Sequence, residues 1–496
     1  MKIRTIITQD AEVDDQNSLR HFLFYANEVE LQGIVQTSSK FHWIGIPGAV
    51  KPEKKAIDDF DSEFAEISGP FDAPYRWPGT DWMWEVIDDY EKDYPNLVKH
   101  ADGYPTPDYL RSITKIGNIG YEGEMEKASE GSDLIKKHIL DDDDRTLYLQ
   151  VWGGTNTIAR ALRDIQEEYG NKPEWNELHE KIQKKVVITA CGEQDATYRE
   201  YVAEEWPGIQ FVKTLQMMSY AYPWFIMPEG ESKDTLKADF MTNEILNGNS
   251  ALIKGYCTWL DGHRYEGEAE DAQFGSNPNI RQEWFGAKFI KAEPAKYDFL
   301  SEGDSPTFFA LLPWGTRTLE DFSYGGIAGR YHKVEDYRNS KGEACNVWDV
   351  SKDIYVDRDG NESEQESMWQ YVADIQRDFA ARAAWADAES YKEGEHSPKL
   401  TVKEGVDITC NPGDEITLTA IAENPDGLAT DITFRVYREA SSDRVKDAVL
   451  SADDTAARVT MPKNAKSGDR LHVLVKATSQ GRHKLFDYKQ VIVNIL

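Results

Sequence analysis

Four carboxylates stand within six residues near the start of the chain, Asp10, Glu12, Asp14 and Asp15, in the run Thr8-Gln9-Asp10-Ala11-Glu12-Val13-Asp14-Asp15-Gln16-Asn17. Like charges this close repel one another unless solvent or a cation lies between them. A hard divalent cation with oxygen ligands, calcium first and magnesium second, would relieve the repulsion. Helix capping is the other reading, because Asp and Glu are favoured at helix N-termini. An EF-hand is excluded: with Asp10 in its first position, the turn glycine is replaced by Asp15 and the bidentate glutamate by His21.

Other stretches offer polar groups with less specificity. In Trp152-Gly153-Gly154-Thr155-Asn156-Thr157, two consecutive glycines let the backbone approach a ligand and leave carbonyls free to face a cation, although a plain tight turn explains them equally. His42 and Trp43 open a segment rich in Pro, Gly and aromatics, where ligand contact and loop packing are both open. Asp141 to Asp144, and Glu266, Glu268, Glu270 and Asp271, read as solvated acidic loops.

The elements around these residues alternate. Ile3, Thr5 and Ile7 mark a strand that delivers Asp10 at its carboxyl end, and Leu19, Phe22, Leu23 and Ala26 mark a helix that begins at Asp14 and Asp15. Val29 to Ser39 is a second strand ending in polar Thr37-Ser38-Ser39, and the segment to about residue 80 is an excursion over the same rim. Helices are expected over Asp81 to Val98 and over Ser132 to Ile139, the latter capped by Ser132. Leu147, Leu149 and Val151 form a strand that runs into Trp152, with a helix after it. Val186 to Ile188 leads to Gly192-Glu193-Gln194-Asp195, Ile209 to Val212 is a further strand, and Asp304 precedes a strand over Thr307 to Leu312. Such alternation predicts a doubly wound, mostly parallel α/β sheet with ligands at the carboxyl ends of its strands. A long helix is expected over Met368 to Tyr391. From Leu400 onward, short strands alternate with turn signals and predict an immunoglobulin-type β-sandwich. The expected division is 1–365 for the α/β domain, 366–397 for a linking helix, and 398–496 for a separable sandwich.

Composition bounds the rest. The 496 residues exceed one core, and 40% hydrophobic residues with fourteen Trp supply material for more than one. A formal net charge of −32 argues against nucleic acid as a partner and suits solubility and cation binding. No run of about 18 apolar residues could cross a membrane. The first residues carry no basic-then-apolar leader and the four cysteines are isolated, so the expected compartment is cytoplasmic and reducing, or secreted if a leader has been removed. Self-association is left open.

The opening pattern of strand, D-x-x-x-D-D and helix resembles that of the nucleoside hydrolase superfamily, whose aspartates bind calcium and activate water. Thr8 stands where the usual pattern has a further Asp, and Ala11-Glu12 where it has Pro-Gly. These departures point to a divergent bacterial branch described as cellulose-binding proteins. Further segments agree with that branch: Trp152 to Thr157, Gln194-Asp195, Glu302-Gly303-Asp304-Ser305-Pro306, Tyr324-Gly325-Gly326 with Gly329-Arg330-Tyr331, and Asp378 to Arg382 with Trp385. The resemblance implies that Asp10 is the base, Asp14 orients water and metal, Asp15 holds the metal, Trp152 offers a carbonyl, and Asp304 closes the shell. Asn156, Gln194, Asp195, Glu302 and His42 are then candidate substrate contacts, although Asn156 and Gln194 could equally satisfy loop backbone. Gly303 stands where the superfamily has an acid histidine, so Glu302 or Glu193 becomes the candidate acid. The implied activity is metal-dependent hydrolysis of an N- or O-glycosidic bond in a furanosyl substrate. The alternative is a non-catalytic carbohydrate-binding protein.

Overall fold

The computed structural model describes residues 2–51, 58–60, 69–215, 220–279 and 294–496. Parts of the two expected excursions, 52–57, 61–68 and 280–293, lie outside the described residues. The first half of the chain runs β1 (Ile3–Gln9), α1 (Val13–Leu23), β2 (Val29–Gln36), α2 (Trp82–His100), α3 (Pro107–Ile113), β3 (Thr114–Ile116), α4 (Glu130–Ile139), β4 (Leu147–Val151), α5 (Asn156–Tyr169), α6 (Trp175–Lys185), β5 (Val186–Ala190) and β6 (Gln210–Lys213). After α7 (Pro306–Phe309), the strands β7 (Tyr331–Lys333) and β8 (Val347–Val350) complete one sheet. Its order is β3-β2-β1-β4-β5-β6-β8-β7, with every neighbouring pair parallel except β7 and β8. Strands this apolar, covered on both faces, are what a parallel sheet requires.

Helix α1 is buried along its whole length, polar residues included. The helix α8 (Val372–Trp385) explains this, because it covers the side that would otherwise meet water. Phe379 stacks on His21 with ring centroids 3.8 Å apart, and the Tyr25 hydroxyl donates to Asp378 at 2.6 Å. Arg382 lies 4.2 Å from the Tyr25 ring and bonds Glu28 and the Phe24 carbonyl. The Asp378 to Arg382 motif is therefore a clamp on the first helix.

Three local expectations fail for identifiable reasons. Helix α4 is capped one turn earlier, by Ser129, whose hydroxyl accepts from the Ser132 N–H while the Ser132 hydroxyl accepts from the Ser129 N–H. Thr307 to Leu312 is no strand: Pro306 starts a short helix there, and the Thr307 hydroxyl donates to the Asp304 carbonyl at 2.7 Å. The long helix stops at Trp385, its first turn being a separate 3-10 turn over Trp369–Tyr371.

Residues 399–495 form two four-stranded sheets around a common apolar core that includes Leu418, Val459, Val473 and Val491. One sheet holds Lys399–Val402, Glu415–Glu423, Ala456–Thr460 and Val449–Ala452. The other holds Asp407–Cys410, Phe486–Ile495, Arg470–Ser479 and Thr430–Val436. Phe486 and Tyr488 belong instead to the core of the α/β sheet's α8 side, and Asp374 of α8 receives Lys476 at 2.7 Å and the Tyr488 hydroxyl at 2.7 Å. The four cysteines are free and buried. Among the described residues, no helix is long and apolar enough to cross a membrane.

Candidate metal and active site

The chain leaves β1 toward β2 on one side and returns as β4 on the other, so the crevice outside the carboxyl ends of β1 and β4 is a topological switch point. Asp10 and Trp152 are the first residues beyond those two strands. The Trp152 N–H donates to the Thr8 carbonyl at 2.9 Å, and the Gly154 N–H to the Ser38 carbonyl at 2.9 Å. A Cβ on Gly153 would stand 2.6 Å from the Asp10 Cβ, and one on Gly154 would strike the Ser38 carbonyl and the Asp195 carboxylate. Close approach, not left-handed backbone, is why glycine stands at both positions.

The loop after β1 has its own strain. Ala11 has φ 75°, which a proline ring cannot adopt, and its N–H donates to the Gln9 amide oxygen at 2.8 Å. The Asp10 N–H donates to one Asp15 oxygen at 3.0 Å, a bond that ties the loop before the helix and does not cap the helix's own N–H groups. Glu12, the residue at the N-cap itself, makes no side-chain cap.

The remaining acids converge. Ligand-capable atoms of Glu12, Asp14 and Asp15 lie within 4.8 Å of one another, as do those of Asp10, Glu12 and His42. Asp14 accepts from Ser301 at 3.1 Å and from Tyr222 at 3.4 Å, which joins the early loop to the late one. Both carboxylate oxygens of Asp10 and the Oδ2 of Asp304 are buried without a hydrogen-bond partner among the described residues. Burial and the charge of Asp10 push the Asp14 carboxyl up to about 6. Asp15 rises well above its ordinary value through burial and the charges of Asp10, Asp304 and Asp14. Asp304 rises likewise, through burial and then Asp14, Asp10 and Glu12. Burial would raise Asp10 too, but the neighbouring His42 imidazole holds it below the usual carboxylate range.

His42 sits wholly buried between two acids, with Nδ1 3.7 Å from Asp10 and Nε2 3.2 Å from Glu268. Burial lowers an imidazole, yet Glu268 and Asp10 together lift this one well above an ordinary histidine. Glu268 is therefore no solvated loop residue, and it is 7% exposed. Its partner lies 226 positions earlier, a pairing that no local pattern reveals. The other acidic run divides: Asp142 and Asp144 are exposed as a solvated loop requires, while Asp141 pairs with the buried Arg4 and Lys185.

The other expected contacts divide. Trp152 presents its carbonyl to Gln194 Nε2 and anchors its indole N–H on the Thr307 hydroxyl at 2.7 Å. Gln194 spends its amide hydrogens on the Trp152 and Cys191 carbonyls, and its buried Oε1 has no partner among the described residues. Asn156 is fully occupied, with Nδ2 donating to Ser38, to the Asn118 carbonyl and to the Glu124 carbonyl at 2.8 to 2.9 Å, and Oδ1 accepting from Thr37. Asp195 binds the Asn156 N–H at 2.9 Å and both donors of Thr197. These two residues build the rim and are not free for a substrate. Glu302 points into the core, accepting from His21 Nδ1 at 2.6 Å, Ser305 at 2.6 Å and Tyr256, so it is no candidate acid. Glu193 is held in an ion-pair cluster by Arg199 at 2.8 Å and Lys213 at 3.6 Å. Thr8, in place of an acid, donates its hydroxyl to the Gln150 carbonyl at 3.1 Å.

Residues 4–331 match the family model described as "Cellulose-binding Sde182, nucleoside hydrolase-like domain". The chain belongs to this family. Residues 415–495 match its companion, "Cellulose-binding protein Sde0182, C-terminal domain". Among solved structures, the family fold recurs in a nucleoside hydrolase-related protein from Saccharophagus degradans, 23% identical, with a TM-score of 0.71 over 100% of both chains. A plant nucleoside hydrolase, 10% identical, aligns with 77% of this chain and 100% of its own at a TM-score of 0.32, a likeness too slight to argue from. Comparison with curated proteins found no match.

Proposed function

We propose that the chain is a metal-dependent hydrolase of a glycosidic bond in a furanosyl substrate, with the acid cluster at the β1/β4 crevice as its active site. The observation that supports this reading is the set of buried carboxylate oxygens, both of Asp10 and the Oδ2 of Asp304, that accept no hydrogen bond among the described residues, beside two further acids. Four buried acids facing one histidine carry an excess of negative charge, which is retained where something else compensates it. The donor set is all oxygen, which suits calcium, with magnesium second. Asp10, Asp15 and Asp304, with Glu12 and the Trp152 carbonyl at hand, would hold the ion, and when bound it would supply positive charge that polarises oxygen ligands and seats vicinal hydroxyls.

The residues of the chain then have separate tasks. Asp10, kept ionised beside His42, takes the proton of the attacking water. His42 and Glu268 fix the orientation of Asp10 from behind. Asp14, tied to Ser301 and Tyr222, orients the water and the sugar edge. Positive charge that develops at the anomeric carbon is stabilised by the surrounding carboxylates. As the water oxygen bonds to the anomeric carbon, the glycosidic bond breaks and the leaving group departs with its electron pair as a stable anion such as nitrophenolate or takes its proton from solvent, in a single displacement that inverts the anomeric centre.

The test is turnover of nucleosides and nitrophenyl furanosides with calcium and with chelator. Asp10→Asn should lower turnover on the order of a thousandfold while calcium still raises the melting temperature, since the amide keeps an oxygen ligand. A second reading, carbohydrate binding without turnover, is favoured by Thr8 and Gly303, which lack the superfamily's acid groups, and by the family's description. The S. degradans relative is described as associated with carbohydrate metabolism, which suits either reading. Absence of turnover on every substrate, with calcium binding intact, would favour the second.

A further inference from the structure

The segment from Cys257 to Gly275 folds back on itself beside the first turn of α1. The Leu260 N–H donates to the Phe274 carbonyl at 3.3 Å and the Gly262 N–H to the Gly275 carbonyl at 2.9 Å, and Cys257, Trp259 and Phe274 share an apolar cluster with Val13. Asn17 of α1 fixes the near end: its amide donates to the Cys257 carbonyl at 2.9 Å, and its Oδ1 accepts from the Cys257 N–H at 2.8 Å. Within the same fold-back Glu268 bonds His42 beside Asp10.

Three side chains of unlike chemistry meet inside it. Ligand-capable atoms of Cys257, Asp261 and His263 all lie within 4.8 Å of one another. The His263 Nε2 donates to the Lys254 carbonyl at 2.9 Å, and its Nδ1 is buried, 3.0 Å from the Asp261 Oδ2 and off the line of a hydrogen bond. One ring N–H on a backbone carbonyl, with the other nitrogen turned toward anionic donors, is how metal-binding histidines are oriented. Asp261 is held in place by the His263 N–H at 2.8 Å and the Thr258 hydroxyl at 3.0 Å. Burial and then the Asp261 charge push the Cys257 thiol well above its ordinary value, while the Tyr265 hydroxyl and the Gly275 N–H favour the thiolate. A Cβ on Gly275 would stand 2.6 Å from the Asp261 Oδ1 and 3.1 Å from the Cys257 sulfur, so glycine keeps the space beside both atoms open. Thiolate, imidazole and carboxylate suit a borderline transition metal, zinc above all, and not calcium, which takes oxygen. The two anions balance the ion's charge, and the nearby Arg20 guanidinium is engaged by Asp89 at 2.8 Å. Tetrahedral zinc sets such donors about 3.3–3.6 Å apart, which side-chain shifts of about 1 Å reach from this arrangement.

We propose that Cys257, Asp261 and His263 hold a zinc ion, with water in the fourth position, which staples the fold-back against α1 and so steadies Glu268 behind His42. Binding releases the thiol proton, and any proton that His263 shares with Asp261, to solvent. The site is separate from the acid cluster and does not depend on the glycosidic reading. The experiment uses the full chain, stripped with chelator, refilled with excess calcium, and titrated with zinc or with cobalt(II) as an optical probe. Zinc should bind tightly at one ion per chain and raise the melting temperature, and cobalt should give a thiolate-to-metal charge-transfer band in the near ultraviolet. Cys257→Ser should abolish the band. His263→Gln, at a part-exposed position that threatens no core, should weaken zinc binding on the order of a hundredfold and leave the zinc-free melting temperature unchanged. Cys191→Ser, which removes the thiol beside Asp304, should keep the band. No band in the wild type leaves Asp261 and His263 as a plain ion pair and overturns the site. A band that survives Cys257→Ser, or one lost in Cys191→Ser, overturns it too, the latter by placing the metal in the acid cluster. The calcium-induced rise in melting temperature, read before zinc is added, tests that cluster separately, so either site can fail alone.

Discussion

Replacing Asp304 by Asn separates a ligand from a structural carboxylate, because it keeps the side chain's shape and removes its charge. In the folded protein Asp304 is 2% exposed, its Oδ2 has no hydrogen-bond partner among the described residues, and burial together with the charges of Asp14, Asp10 and Glu12 pushes its carboxyl upward. Without metal, the substitution deletes one member of a mutually repelling set, so in chelator Asp304→Asn should melt at or above the wild-type temperature. With calcium the sign reverses. At a free concentration 100 times Kd, a single site stabilises the native state by about 2.7 kcal/mol, and a hundredfold weaker site at the same concentration by only about 0.4 kcal/mol. The variant should therefore lose about 2.3 kcal/mol of calcium-dependent stability, on the order of 2 °C in a chain of this length. Differential scanning calorimetry at pH 7.5, with calcium and with chelator, measures both arms. A variant that loses the same stability in both would refute the reasoning, since Asp304 would then act through packing and hydrogen bonding alone.

Three further outcomes follow from the same geometry. Asp14, Asp15 and Asp304 carry raised carboxyl pKa values in the fold, so the metal-free native state binds more protons than the unfolded chain, and their contribution falls as pH rises through the folded values. For Asp14, from an ordinary 3.8 to about 6, this costs the metal-free fold up to roughly 3 kcal/mol above pH 6, so calcium's rise in melting temperature should be smaller at pH 5 than at pH 7.5, and equal rises would count against the cluster as the ion's seat. Glu302→Ala strands His21 and Tyr256 in the core and should destabilise by roughly 3 kcal/mol in urea unfolding, with or without calcium; a loss confined to calcium would return Glu302 to the metal site. We propose that a chain of residues 1–397, without the sandwich, keeps the site, because every candidate ligand precedes residue 305. Its melting temperature should drop by several degrees, since Asp374 and Trp314 lose Lys476, Tyr488 and Phe486, while the calcium-induced rise persists; loss of that rise would mean that the sandwich completes the site.

The sequence by itself determined the local features. Alternation of β-rich and helical runs marks the opening strand and helix, and the strands into Trp152 and Gly192, because each element's period is written in consecutive residues. The acid spacing after β1 and the paired glycines after β4 were legible for the same reason, and so was the run of short strands after residue 399. Two of those strands, Asp407–Cys410 and Val449–Ala452, are too short and too exposed to leave a pattern. Tertiary structure decided which polar groups are free. Asn156, Asp195 and Glu302 are chemically as suitable for a substrate as any residue on the rim, yet each is consumed by partners set by the fold. Glu268 looked like one more surface acid and is a buried partner of His42. Unsatisfied hydrogen-bonding capacity depends on what the rest of the chain brings within about 3 Å, and contacts such as Asp14 to Ser301, 287 positions apart, arise only when the sheet has closed on itself.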